Sequence, residues 1–478
     1  MDELDEARAK LGQLRGTERT LFKQLVEIRA AIKIQKNKID ELVKKRPPPI
    51  NRLPTELLSR IIFLSLPDYD GQRRPMESGI ARRRSDLSTV SPLWRSVVLG
   101  TPEIWRDIVL YAGHITIESL KTHLTRSGNA PLNIFITGSN YDHYEQAQSW
   151  LDVVVSSADR WRCLYVHHLS NRMLAEVLDA LEGLKFPSLE DVTIDNMNWV
   201  TNYPQFLLPN QAPALRNLKL DDLFPAPELA ASTTLTTLDV SFRFGGFGAM
   251  NLTFIPTQSL TTLSLGGDTS NWTLPPDSIH LPLLEVLKLT IGNPRLIMRA
   301  IVAPKLGCLD YSNCGGLGDN RVDFDTGSKF SHVQRVIFNF CRSDMEGYRA
   351  LCQEFCGARD VTLRRVCMDL FFTPECQVDD SGSVPADHWT SLESLTIYDL
   401  YFDDGTETFD PLMRWLANRL EFGGPRVSVR LSGLSTSEPT AADGTDLRDL
   451  YHKLQTCSNP IVDKVVLCCS VHCSTSSG

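Results

Sequence analysis

The chain has 478 residues, 42% of them hydrophobic and 22% charged, which excludes a mostly disordered chain, a collagen and a small disulfide scaffold. Its formal net charge of −9 argues against a general nucleic-acid binder. No apolar run reaches the roughly 18 residues that span a bilayer, and the acidic N-terminus lacks the apolar core of a secretory signal. We therefore expect a cytoplasmic and/or nuclear protein with no membrane segment.

Residues 1–46 predict a coiled coil. They carry 12 Lys/Arg and 8 Asp/Glu, whereas the other residues carry 37 and 50. A heptad repeat that starts at Leu4 has twelve seam positions, of which Glu18 and Gln35 are polar. The apolar seam positions are Leu4, Ala7, Leu11, Leu14, Leu21, Leu25, Ile28, Ile32, Ile39 and Leu42. The pattern favours a parallel homodimer through residues 4–42. The alternative is a single helix folded onto the rest of the chain, or a partly helical segment.

Residues 47–110 predict a short helical module, entered through Pro47-Pro48-Pro49, which ends the first helix. Pro54 fits the first turn of the next helix. The apolar residues of that helix form a stripe wider than one face requires: Leu53, Leu57, Leu58, Ile61, Ile62 and Leu64. We therefore expect one side of the helix to pack inside the module and the other to need a partner.

A second helical pair is predicted at 85–109. Leu87 and Val90 lie three residues apart on one helix, and Ser91-Pro92 begins another whose apolar face includes Trp94. A further turn begins at Thr101. The stretch 67–84, which includes the run Arg82-Arg83-Arg84, predicts a flexible surface loop.

These two halves resemble an F-box module. The matching segments are Leu53-Pro54-x-Glu56-Leu57-Leu58-x-x-Ile61 for the opening helix, Val90-Ser91-x-x-Trp94-Arg95 for the closing helix, and Thr101-Pro102-Glu103-Ile104-Trp105 for the segment that often follows. The separation of the halves is longer than the family usually has. The resemblance implies docking onto the Skp-type adaptor of a cullin-RING ubiquitin ligase. The adaptor-binding residues that it implies are Leu53, Pro54, Leu57, Leu58, Ile61, Leu87, Val90 and Trp94. The alternative is a small core that serves only its own fold.

Residues 111–410 contain a unit of form Leu-x-x-Leu-x-Leu, preceded by a predicted strand at 129–137 and a helix at 145–160. The ten units begin at Trp161, Leu189, Leu215, Leu235, Leu260, Leu284, Leu306, Val333, Ala358 and Leu392. Most are 20–28 residues apart, which is typical of leucine-rich repeats. The pattern predicts an α/β fold, an irregular solenoid with a parallel sheet, with outer helices at 171–183 and 344–357 and only loop at 266–280.

Residues 411–478 predict a C-terminal capping region. We expect a helix at 411–420, a strand at 427–431, a loop at 432–445, a helix at 447–454 and a strand at 461–467. Together these elements would protect the open edge of the sheet.

The sequence contains no phosphate-binding loop, no nucleophile elbow and no Cys-x2-Cys pair. His167-His168 is better interpreted as a surface or inter-repeat pair than as a metal site. Cys352-x3-Cys356 fits one face of a helix in the repeat core, and the cluster Cys468-Cys469-x2-His472-Cys473 lies at a frayed end. We expect no catalytic residue, metal or cofactor, and reduced thiols.

The whole layout is similar to F-box families of mushroom-forming fungi, and it favours a non-catalytic substrate receptor of a cullin-RING ligase. The alternative is a coiled-coil and repeat scaffold without a ligase role. An unknown target protein would bind polar side chains on the strands. The candidates are Thr193, Asp195, Asn217, Lys219, Thr237, Asp239, Thr262, Lys288 and Asp310.

Overall fold

The computed structural model describes residues 3–45, 50, 53–66, 77–111, 115–138, 144–195, 204–242, 252–268, 272–292, 294–312, 329–339, 348–366, 369–373, 383–398, 410–421, 426–432 and 462–468. The chain divides into two compact units, Met1–Ile104 and Trp105–Gly478. The predicted helix at 447–454, the proline run at 47–49 and the cysteine cluster beyond Cys468 lie outside the described residues, as does the predicted loop at 432–445 after its first residue.

The first unit is helical in its described residues. Its helices are α1 (Glu3–Lys45), α2 (Thr55–Leu64), α3 (Glu77–Thr89) and α4 (Pro92–Gly100). Pro54 caps α2 rather than lying inside it, and Ser91 caps α4 by accepting a hydrogen bond from the Trp94 N–H at 3.2 Å. A 3₁₀ turn, Pro102–Trp105, follows α4.

The prediction of a loop over 67–84 is wrong for its second half. Residues 77–84 belong to α3, and the arginine run lies on that helix with Arg84 buried. Arginine has high helix propensity, and its long aliphatic stem packs against apolar neighbours, so a basic run does not by itself indicate a loop. Helix α4 contacts both α2 and α3, which makes these three helices one packed group.

The second unit is built on strands. These are β1 (Asp107–Tyr111), β2 (Leu132–Thr137), β3 (Trp161–His167), β4 (Asp191–Asp195), β5 (Asn217–Asp221), β6 (Thr237–Phe242), β7 (Thr262–Gly267), β8 (Ile279–His280), β9 (Val286–Ile291), β10 (Ile301–Val302), β11 (Cys308–Ser312), β12 (Arg335–Asn339), β13 (Asp360–Arg364), β14 (Ser394–Tyr398), β15 (Val427–Ser432) and β16 (Val462–Cys468). Fourteen of these described strands form one sheet in chain order, and β8 pairs separately with β10.

Every neighbouring pair in the large sheet is parallel. Each of the ten predicted units contributes one strand to it, so the prediction of a mixed α/β fold with a parallel sheet is confirmed. The sheet also extends beyond the units at both ends. Strand β1 pairs with β2, so residues 107–110 belong to the sheet rather than to the helical module. Strands β15 and β16 continue the same ladder at the other end.

Seven helices in the described part of this unit connect strands. They are α5 (Ile117–Arg126), α6 (Tyr144–Val154), α7 (Asn171–Leu181), α8 (Arg295–Ala300), α9 (Tyr348–Glu354), α10 (Asp369–Phe372) and α11 (Asp410–Glu421). The predicted helices at 171–183 and 411–420 are confirmed in type. The predicted helix at 145–160 is α-helical as far as Val154 and 3₁₀ over Val155–Arg160, and the one at 344–357 is helical over Tyr348–Glu354. Some other described connections contain a short 3₁₀ turn, such as Pro227–Ala231 between β5 and β6. The connection at 266–280 is not only loop, because β8 lies at its end.

One face of the sheet forms the core. Side chains alternate along a strand, so Leu218 and Leu220 of β5 are buried whereas Asn217 and Lys219 are exposed. The buried leucines of successive strands join a single apolar cluster with the helices, to which α7 contributes Leu174 and several neighbours. The opposite side of the strands, here called the open face, carries the polar residues.

Candidate partner-binding surfaces

Helix α2 is apolar on two sides, and only one of them is buried. Leu58 and Ile62 are fully buried. Leu57, Ile61 and Leu64 are 54%, 44% and 64% exposed. Residues spaced by four and then three positions share one face of a helix. These three side chains, here called the α2 stripe, therefore form a continuous apolar strip in contact with water.

The structure divides the eight predicted adaptor-binding residues into two groups. Leu58 is fully buried and Leu87 nearly so, which places both in the core of the helical unit and not on a surface that a partner reaches. The remaining six are exposed or half-buried: Leu53, Pro54, Leu57, Ile61, Val90 and Trp94. The sequence pattern included Leu64 in the apolar stripe of α2, but Leu64 was not among the predicted adaptor-binding residues.

All nine predicted target-binding residues lie on the open face, because each alternates with buried core residues of its strand. The strand register places the middle residues of six neighbouring strands side by side: Thr193, Lys219, Asp239, Ser264, Lys288 and Asp310. From β4 to β11 the open face is therefore a continuous polar surface on which charged residues recur from strand to strand.

The charge on this face changes sign along the sheet. Strands β1–β7 contribute one Lys and five Asp, namely Lys219, Asp107, Asp191, Asp195, Asp221 and Asp239. Strands β9–β15 contribute two Asp and four basic residues, namely Asp310, Asp360, Lys288, Arg335, Arg364 and Arg430. A surface with this distribution favours a partner whose basic residues face β1–β7 and whose acidic residues face β9–β15, and it orients that partner during encounter.

Contacts between strands hold several of these carboxylates. The Asn133 side-chain amide donates to Asp107 at 2.6 Å, Asn339 donates to Asp310 at 2.6 Å, and Asn217 donates to Asp191. Burial raises the pKa of Asp310 above its ordinary value, although Lys288, Arg364 and the amide of Asn339 oppose the shift. These contacts fix the positions of the acidic side chains relative to the sheet.

Aromatic side chains lie on the same side of β2 and β3, where Phe135 is fully buried, so this part of the face is not open to solvent throughout. Phe135 and Tyr165 stack with their ring centroids 4.9 Å apart. The Nδ1 atom of His167 lies 3.8 Å from Oδ2 of Asp195 on the next strand. This places His167 between repeats, as the sequence predicted for the His167-His168 pair, and makes this end of the face partly apolar.

The four cysteines whose side chains the structure describes, Cys163, Cys308, Cys352 and Cys356, are buried or half-buried. Burial and the neighbouring Asp191 carboxylate raise the pKa of the Cys163 thiol to about 12. Cys352 is buried on α9, whereas Cys356 lies in the turn after this helix, so the two do not share a helix face. Within the described residues, no group of three or more His, Cys, Asp or Glu side chains is arranged to hold a metal ion.

Comparison of the chain with protein-family models, with curated proteins and with solved structures found no match. Among the helices of the described residues, none combines the length and apolar character needed to cross a membrane.

Proposed function

We propose that this chain is the substrate-recognition subunit of an SCF-type cullin-RING ubiquitin ligase. In this proposal, residues 47–104 act as an F-box-like module that docks onto a Skp-type adaptor. The strand array acts as an irregular leucine-rich-repeat solenoid that holds a target protein. The chain itself supplies no catalytic residue, and other subunits transfer ubiquitin.

The observation that carries the proposal is the exposure of the α2 stripe. Three large apolar side chains on one short helix contact water, while the other side of that helix already packs on α4. An exposed apolar strip beside a packed one is characteristic of an interaction site. Two of its residues, Leu57 and Ile61, fall on the segment whose sequence resembles the opening helix of an F-box, and Leu64 lies one turn further along the same helix.

The proposed docking residues are the six predicted ones that are exposed or half-buried, together with Leu64. They are Leu53, Pro54, Leu57, Ile61, Leu64, Val90 and Trp94. Leu58 and Leu87 hold the helices together and would act only through the fold. Target binding is assigned to the open face, where the polar strand residues form a broad surface separate from the apolar core.

The docking test uses the full chain with Leu57→Ala, Ile61→Ala and Leu64→Ala combined. Burying a leucine contributes about 1.5–3 kcal/mol, and these side chains are already half-buried, so the triple change should weaken adaptor binding by roughly 3–4 kcal/mol, or several hundredfold. Isothermal titration with a purified Skp-type adaptor measures this change. Circular dichroism checks that the helices persist.

The matched control is Leu283→Ala, an exposed leucine in the second unit, which should leave adaptor binding unchanged. If the wild-type chain does not bind the adaptor, or if the triple variant binds it with wild-type affinity, the docking assignment is wrong. A chain without adaptor affinity would favour the scaffold role, for which the exposed seam of α1 is the supporting feature.

A further inference from the structure

Helix α1 exposes its apolar seam along its whole length. The nine Leu and Ile side chains at seam positions are each 44–60% exposed. They are Leu4, Leu11, Leu14, Leu21, Leu25, Ile28, Ile32, Ile39 and Leu42. At a rise of 1.5 Å per residue, a helix of this length presents an apolar strip roughly 60 Å long to water. Heptad spacing confines the strip to one side, which is the arrangement that two-stranded coiled coils bury.

We propose that α1 binds α1 of a second copy of this chain, forming a parallel, in-register coiled-coil homodimer. This inference does not depend on adaptor docking. Nine half-exposed seam side chains on each of two helices would bring the buried surface to roughly 1,500 Å², the size of a standard stable interface. A second copy supplies the identical repeat, so each apolar seam residue faces the same apolar residue of the other helix, and each such pair forms one layer of the interface.

The polar seam residues favour a parallel dimer in register. In that arrangement Gln35 faces Gln35 of the partner subunit, where the two amides can hydrogen-bond. Glu18 faces Glu18 of the partner subunit, and the like charges of that one layer lower the stability of the dimer. Polar residues then occupy only two layers. In an antiparallel pair with the full seam overlapped, Glu18 would face Ile28 and Gln35 would face Leu11, which places polar groups against apolar ones in four layers. Polar seam residues of this kind specify register at a cost in stability.

The charges that flank the seam favour the same orientation. In the parallel dimer, Glu3 lies beside Arg8 of the partner subunit and Lys10 lies beside Arg15 of the partner subunit, so an attractive contact offsets a repulsive one. Most of the other flanking pairs combine a charged residue with a neutral one. The antiparallel dimer instead brings like charges together at three kinds of contact, each occurring twice. They are Arg8 with Lys36, Arg15 with Arg29, and Lys10 with Lys38.

Light scattering of the full chain tests the dimer. The expected mass is twice 53.6 kDa for the wild type. Leu21→Asp with Ile28→Asp should reduce it to the monomer mass, because both changes put a charge into the seam. The matched control is Val26→Asp with Ile34→Asp, which alters two equally exposed apolar residues outside the seam and should leave the dimer intact.

Deletion of residues 1–46 should also give a monomer. The dimer is rejected if the wild type has the mass of one chain, which is the result for a helix folded onto its own chain. It is equally rejected by the mass of a larger assembly, by a seam variant that stays dimeric, or by a control that dissociates as fully as the seam variant does.

Two charge reversals test the orientation. Arg8→Glu and Lys36→Glu change the charge equally, and each site lies one helical turn from an aspartate, Asp5 or Asp40. In the parallel dimer Arg8→Glu puts a carboxylate beside Glu3 of the partner subunit, which should weaken dimerisation about tenfold. Lys36→Glu faces Ala31 of the partner subunit and should change the dissociation constant by less than about twofold. Tighter dimers from both variants would show an antiparallel arrangement and overturn the proposal.

Discussion

Gly267, the last residue of β7, occupies a backbone position that no other residue fits. Its φ is +105°, and a Cβ atom added there would lie 1.8 Å from the carbonyl oxygen of Phe242 on β6. Gly267 and Phe242 are paired in the sheet register, and the next amide, Asp268 N–H, donates to that same oxygen at 3.1 Å. We therefore predict that Gly267→Ala breaks the β6–β7 pairing at this end of the strands.

Two costs add at this position. A residue with a side chain held at this φ is strained by about 1–3 kcal/mol. Relieving an overlap of more than 1 Å against backbone costs a further 1–3 kcal/mol or so. The expected loss in the free energy of unfolding is therefore about 4 kcal/mol. Gly266→Ala is the matched control, because its Cβ would lie 3.2 Å from the Ser241 Cβ and 3.5 Å from the Ser241 Cα, so its loss in the free energy of unfolding should stay below about 1 kcal/mol.

Chemical denaturation measures the global loss of stability, and amide hydrogen exchange measures the local loss in β6 and β7. An array of repeats does not unfold in one step, so the exchange rates of the β6 and β7 amides report the local loss better than the global transition. If Gly267→Ala is as stable as Gly266→Ala, or if it lowers stability without faster exchange in these two strands, the reasoning from backbone geometry fails.

Three further outcomes follow from the described residues. Leu58→Ala should lower the free energy of unfolding of the helical unit by about 2–5 kcal/mol, whereas Leu57→Ala removes a half-exposed side chain and should lower it much less. The melting temperatures of the two variants, followed by the helical circular dichroism of the full chain, compare them. Cys163 should react with iodoacetamide far more slowly in the native chain than in the denatured chain at neutral pH, because burial keeps its thiol protonated; peptide mass spectrometry reads this out. Because the pKa of Asp310 is raised, the folded state binds its proton more tightly than the unfolded state does. The free energy of unfolding therefore falls as pH rises from the pKa of Asp310 in the unfolded state to its pKa in the folded state. Asp310→Asn should then melt at an equal or higher temperature at pH 7 and lose that advantage in acid, and a variant that is less stable at pH 7 would contradict this sign.

The strand array was predictable because its signal is local and repeated. Each Leu-x-x-Leu-x-Leu unit encodes a strand whose alternate residues are buried, and ten units in succession require a common sheet. The first strand of that sheet was missed because Ile108 and Leu110 follow directly on the segment that resembles an F-box tail. The five residues of β1 carry no sequence signal that distinguishes the end of the helical module from the beginning of the sheet. Only their pairing with β2 shows that they belong to the sheet.

The start of α3 was missed for a different reason. Gly79 and the three arginines at 82–84 lack an apolar periodicity, so the sequence predicted a loop there. The helix nevertheless buries Ile80, Arg84 and Leu87, spaced by four and three positions, and α4 packs against it. Tertiary packing on a neighbouring helix stabilises a segment whose own pattern is weak.

The two exposed apolar strips of the first unit differ in what could bury them. The α1 seam is long, periodic and self-complementary, so a second copy can bury all of it at once. The α2 stripe has only three side chains, Leu57, Ile61 and Leu64, and two such stripes facing each other would bury much less than the roughly 1,200 Å² of a small specific interface. It therefore needs a partner that also contacts other surface residues of the packed helices, such as the exposed Val90 and the half-buried Trp94. That requirement favours a different protein with a shaped groove over a second copy, which is why we propose adaptor docking for α2 and self-association for α1.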